Sequence, residues 1–122
     1  MRVNKGIMSG GAFAWLFQRI SGAVLAILMI IHFMLIHYVT AKGAAVSYND
    51  VAQRLSSPAI RFIELIFLFL LIYHGFNGVW MMVQDYVHHN LLRALIFSVI
   101  MIFGLALFFI GANTLIAFQP VI

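Results

Sequence analysis

The sequence predicts an all-α membrane protein, with three transmembrane helices, a cytoplasmic N-terminus and packing with a similar partner subunit into a helical bundle. Two observations carry the class. The 122-residue chain is 65% hydrophobic and 8% charged, against roughly 25% charged residues in an average soluble domain. Its few charged side chains also leave three long uncharged runs, residues 20–41, 65–84 and 94–122. A bilayer core about 30 Å thick needs roughly 20 apolar residues of helix, and a single segment in lipid satisfies its own backbone only as a helix.

Taken in order, a short Gly-containing leader, MRVNKGIMSGGA, precedes a first helix expected over about 13–40. Its apolar run is longer than the roughly 7–15 residues of a signal-peptide core, which favours a retained span. The connection KGAAVSYNDVAQRLSSP has turn formers at both ends and an amphipathic middle, about 48–55, suited to lying along the interface. Pro58 suits the start of a second helix over about 59–85. The tight link DYVHHN then forces an antiparallel hairpin with a third helix over about 91–118. Gly104 and Gly111, seven apart, give that helix a narrow stripe for close approach. No segment suffices for a soluble domain, so a catalytic head is expected on another chain.

The orientation follows from Lys and Arg near the span ends. Arg2, Lys5, Arg19 and Arg93 fall on one side, against Lys42, Arg54 and Arg61 on the other, four to three in favour of a cytoplasmic N-terminus. The chain has no cysteine, which excludes disulfides, thiolate zinc sites and iron–sulfur ligation by this chain. A net charge of +4 scattered over interfaces speaks against nucleic acid and for the lipid bilayer.

Ionisable groups inside a membrane are costly and mark functional candidates. Here they are Arg19, His32, His37 and His74, with Asp85 at a helix end. At about 100° per residue, Gly78, Met81 and Asp85 share a stripe with His74. A histidine followed one turn later by glycine makes an open face against which a planar macrocycle fits, the imidazole supplying an axial nitrogen to iron. Helix packing would use Gly78 equally well. On the first helix Ser21, Leu25 and Leu28 share the stripe of His32, a pattern equally suited to a hydrogen-bonded core histidine and to a ligand. His37 and Arg19 point elsewhere, so the two histidines of HFMLIH do not serve one ligand. At about 1.5 Å per residue, His32 and His74 lie at different depths, about 12 and 22 Å from the outer ends of their spans. Each level offers one histidine, so a bis-histidine site needs a second from a partner helix. Arg19 suits a haem propionate or a quinone carbonyl, or snorkels to headgroups. A proton relay through His32, His37 and His74 in a small transporter or channel subunit is the rival reading. The roles of His37, His88 and His89 stay open.

The stretch His74-x-x-x-Gly78-x-Trp80-x-x-x-x-Asp85-Tyr86 resembles the second helix of the small hydrophobic anchor subunit of succinate dehydrogenase, the respiratory complex II of electron transport and the tricarboxylic acid cycle. FQRISGAVL resembles the Arg-x-Ser-Gly opening of the paired cytochrome b subunits. The resemblance covers nearly the whole chain. It implies an anchor in the inner (cytoplasmic) membrane, not an enzyme on its own, joined to a second cytochrome b anchor, an iron–sulfur subunit and a flavoprotein subunit. It further implies haem b ligation by His74, a quinone site at Tyr86 and Asp85 with Ser21, close approach to haem at Gly78, and a propionate or quinone contact at Arg19. QRISGAVLAILMIIHFML is similar to the first helix of two-haem anchors, which implies a distal haem on His32 and a proximal one on His74, both shared with the partner. The quinone is menaquinone or ubiquinone. A haem-free structural anchor is the remaining alternative.

Overall fold

The computed structural model describes residues 11–40 and 42–118. The element order is α1 (Gly11–Met34), continued by wider π-helical turns over Leu35–Thr40, then α2 (Tyr48–Leu55), α3 (Pro58–Tyr86) and α4 (Asn90–Ala117). Among the described residues three helical stretches are long and apolar enough to cross a membrane: Gly11–Val39, Pro58–Tyr86 and Asn90–Ala117. No strand occurs among the described residues. The chain is therefore the all-α, three-span membrane protein its composition demands. Arg2 and Lys5, which enter the orientation count, lie outside the described residues.

The first span ends on backbone chemistry. Lys42 (φ 49°) and Gly43 (φ 79°) both adopt the left-handed region, and the Gly43 N–H donates to the His37 carbonyl at 2.8 Å. That closure satisfies one of the carbonyls a helix end leaves open. Gly43 takes the left-handed conformation without the cost a β-carbon would bring.

The short α2 is capped at its start. Ser47 Oγ accepts from the Asp50 N–H at 3.2 Å, while the Asp50 carboxylate accepts from the Ser47 N–H at 2.9 Å, a reciprocal capping box. The helix buries Ala52 and Leu55. Its last carbonyl, Leu55, accepts from Nε and Nη2 of Arg61 at 3.1 and 2.8 Å. Tyr48, at its first turn, stacks on Phe118 beyond α4, with centroids 4.6 Å apart.

Helices α3 and α4 form a hairpin around the link at 87–89. Arg93 closes the end of α3 by donating to the Val87 carbonyl and, at 2.9 Å, to that of Gln84. Along the hairpin Gly104 faces Ile72 and Phe76, and Gly111 faces Leu68. Trp80 meets Phe97 edge-on, as Phe76 meets Phe103. The missing side chains of α4 thus admit bulky ones from α3.

Helix α3 packs on its other side against α1. Among the described residues the buried ones are Ser21, Leu25, Ala52, Leu55, Glu64 and Gly104. Two of them, Ser21 and Glu64, are polar and both belong to the α1–α3 region. Large apolar side chains such as Ile30, Ile102 and Phe109 stay more than half exposed, as lipid or partner helices require.

Candidate functional site

Antiparallel α1 and α3 meet in one register that opposes Gln18 to Asn77, Ser21 to His74, and His32 to Glu64. Two polar clusters result. Their histidines lie at different levels, because His32 is eleven residues along α1 from the Ser21 that meets His74, about 16 Å at 1.5 Å per residue.

The first cluster is built on His74. Its Nδ1 lies 3.0 Å from Ser21 Oγ, and Ser21 Oγ donates to the Gln18 carbonyl at 3.2 Å. A serine hydroxyl has one proton to give. When that proton goes to the carbonyl, Nδ1 carries the ring hydrogen and donates to Oγ; when it goes to Nδ1, the ring hydrogen sits on Nε2. Among the described residues His74 Nε2 meets no hydrogen-bond partner. Gln18 braces the same turn, donating from Nε2 to the His74 carbonyl at 3.1 Å and accepting at Oε1 from Asn77 Nδ2 at 2.8 Å. Asn77 also reaches the Ala14 carbonyl at 3.4 Å.

Gly78 makes the room for that brace. A β-carbon there would stand 2.9 Å from Gln18 Nε2, so the space left by the glycine is filled by Gln18 of the same chain. The expected open face at Gly78 is, within this chain, a seat for an amide.

The second cluster is built on Glu64, a carboxylate only 8% exposed. Its Oε1 accepts from Arg54 Nη1 at 2.5 Å and from His32 Nδ1 at 3.1 Å. Arg54 comes from α2, so the cluster joins the connecting helix to both membrane helices. Phe67 packs on the His32 ring at 5.2 Å between centroids. As with His74, His32 Nε2 meets no hydrogen-bond partner among the described residues.

Tyr86 and Asp85 sit together at the exposed end of α3, Tyr86 82% exposed. The fold does not bring Ser21 to them: Ser21 opposes His74, and Tyr86 lies twelve residues further on, about 18 Å along the axis. Arg19 is exposed, its guanidinium 4.4 Å over the Trp15 ring. His37 stacks on Phe33 at 4.4 Å, while His88 and His89 are exposed at the α3–α4 link. A cavity of about 430 Å³ opens between α3 and α4, lined mainly by Phe69, Phe76, Trp80, Phe97 and Phe108.

Gln18, Asn77, Arg54 and Glu64 are missing from the sequence expectation. Gln18 and Asn77 carry no charge to single them out, though amides amid hydrocarbon were a signal of the same kind. Glu64 and Arg54 stand beside charged neighbours near a span end and have the pattern of interfacial residues.

No group of three or more His, Cys, Asp or Glu side chains able to hold a metal ion occurs among the described residues. The donor chemistry is instead one free imidazole nitrogen at each of two levels. Each nitrogen would suit one ligand position of a haem iron, the remaining donors coming from outside this chain.

Comparison with known proteins agrees with the fold. Residues 4–112 match the model of the succinate dehydrogenase/fumarate reductase transmembrane subunit family. The succinate dehydrogenase hydrophobic membrane anchor subunit of Archaeoglobus fulgidus is 31% identical over 72 residues, 59% of this chain. That match spans 60% of the relative's length. With nearly its whole length matched, the chain belongs to the succinate dehydrogenase/fumarate reductase transmembrane subunit family and is a multi-pass membrane anchor.

Proposed function

We propose that the chain is the cytochrome b anchor of a succinate:quinone oxidoreductase in the inner (cytoplasmic) membrane, with its N-terminus cytoplasmic. It acts with a second anchor subunit, an iron–sulfur subunit and a flavoprotein subunit, and has no catalytic activity alone. The observation that carries this reading is the pairing of Ser21 with His74 Nδ1, which leaves Nε2 without a hydrogen-bond partner among the described residues. His74 is the axial ligand of the proximal haem b and His32 that of the distal one, each haem completed by the partner. Haem, when bound, supplies a one-electron carrier within the membrane.

Ser21 and Glu64 fix the rotation of the two imidazoles from behind, while Gln18 braces the backbone at His74. Gly78 admits Gln18 and thereby lets α1 and α3 approach where haem would sit beside them. Arg19, exposed and near the level of His74, offers its guanidinium to a propionate; a quinone carbonyl is the other acceptor it suits. Tyr86 anchors menaquinone or ubiquinone by donating to a quinone oxygen, where negative charge builds on reduction. Asp85 lies beside it in the same exposed corner. Ser21, grouped with these two by resemblance, is supported instead as a partner of His74.

The test is a reduced-minus-oxidised spectrum of the purified complex. Two b-type haems are expected, one lost in His74→Ala and the other in His32→Ala. A colourless complex with intact succinate:quinone activity would establish a haem-free anchor in its place. Tyr86→Phe is expected to slow quinone reduction while leaving both haem signals.

A further inference from the structure

Both histidines present a free Nε2, but what stands behind them differs in charge. His74 Nδ1 meets the Ser21 hydroxyl. His32 Nδ1 meets the Glu64 carboxylate, whose same oxygen is gripped by Arg54. We propose that Glu64 and Arg54 are positioning residues that set the redox potential of the iron held by His32. In that pair the carboxylate pushes electron density onto the imidazole and the guanidinium restrains the push. The proposal rests on the reading of His32 as an axial ligand.

A carboxylate only accepts hydrogen bonds, so His32 Nδ1 carries the hydrogen and donates to Glu64 Oε1. A histidine held in this way is a more basic ligand through its other nitrogen. A more basic axial nitrogen stabilises ferric over ferrous iron, and hydrogen bonding behind the ligand is one of the means by which a protein shifts a haem potential. Glu64 is sheltered enough to matter: its side chain is 10% exposed and that of Arg54 is 9% exposed, and charge effects are stronger where water is excluded. Arg54 Nε is buried without a hydrogen-bond partner among the described residues, and Glu64 is the anion that its Nη1 meets. Arg54 belongs to α2, outside the membrane-length helices. The connecting helix thereby reaches an iron ligand in α1 through one carboxylate of α3.

The experiment is a spectroelectrochemical titration of the intact complex. Glu64→Gln keeps the shape and removes the charge; it is expected to raise the midpoint of the haem lost in His32→Ala and leave the other unchanged. A tenfold change in the ratio of oxidised to reduced haem corresponds to about 59 mV for one electron. Arg54→Gln is expected to shift the same haem downward, since it frees the carboxylate. Glu64→Asp, which retains charge with a shorter reach, gives a smaller upward shift and serves if the glutamine variant does not assemble. A brace without electronic influence would not produce opposite signs. Should His32→Ala keep both haems, the ligand reading fails and takes this proposal with it. Should His32→Ala lose one haem while both midpoints stay fixed or move together in the other variants, the ligand reading survives and the tuning role is overturned.

Discussion

Gly22 lies against the imidazole of His74: a β-carbon at that position would stand 3.0 Å from Cε1 and 3.6 Å from Nδ1. The glycine therefore sets how closely α1 can press on the ring, while Ser21 beside it supplies the hydrogen bond. Gly22→Ala requires the ring to give by a few tenths of an ångström. On the proposed haem ligation, the expected outcome is a complex that still assembles but shows an altered low-spin haem signal in electron paramagnetic resonance, confined to the haem lost in His74→Ala. An unchanged signal would mean that the ring's position does not depend on this contact.

Ser21→Ala removes the partner of His74 Nδ1 without adding bulk. Loss of an outer-shell hydrogen bond of this kind costs about 10–100-fold in metal affinity or activity. On the proposed ligation by His74, its haem is accordingly expected at reduced occupancy, with the other retained, as read by pyridine haemochrome content per complex.

The Arg54–Glu64 pair is also a brace between α2 and α3. Breaking a buried ion pair by removing one partner costs about 3–5 kcal/mol, because a charge is left uncompensated. Arg54→Met and Glu64→Leu singly are expected to lower the thermal midpoint of the complex more than the double replacement does. Additive losses in a double-mutant cycle would show that the two charges do not depend on each other.

Gly104 tests the hairpin. A β-carbon there would come within 3.2 Å of the Phe76 ring, and the neighbouring Ile72 is 3.8 Å away. Overfilling a close interface costs about 1–3 kcal/mol, so Gly104→Leu should destabilise the α3–α4 hairpin measurably on thermal unfolding. Gly111→Ala meets only the flexible end of Leu68 and should be milder.

The start of α2 carries a pH dependence. Hydrogen bonds from the Ser47 side chain and backbone hold the Asp50 carboxyl below its ordinary value. The folded value lies under the unfolded one, so the stabilisation is full above the ordinary carboxylate range and fades as pH falls through the depressed value. Amide protection factors in α2, corrected for the intrinsic pH dependence of exchange, should therefore fall on acidification, and Ser47→Ala should remove most of that dependence.

By itself the sequence determined that three helices cross a membrane, because span length and apolarity are local properties of a run of residues. It also singled out His32 and His74, since an imidazole amid hydrocarbon is conspicuous wherever the chain folds. Resemblance, not spacing, tied the Asp85-Tyr86 pair to quinone. The partners behind the histidines were decided only by the tertiary structure. Ser21 and His74 are 53 residues apart, His32 and Glu64 are 32 apart, and no helical period relates them. Their meeting depends on the register between antiparallel α1 and α3, which is fixed by side chains interlocking across the interface, as Gln18 does over Gly78. For the same reason Ser21 faces His74 and not Tyr86: a helix fixes angles and spacings along itself, while packing decides which face meets which neighbour.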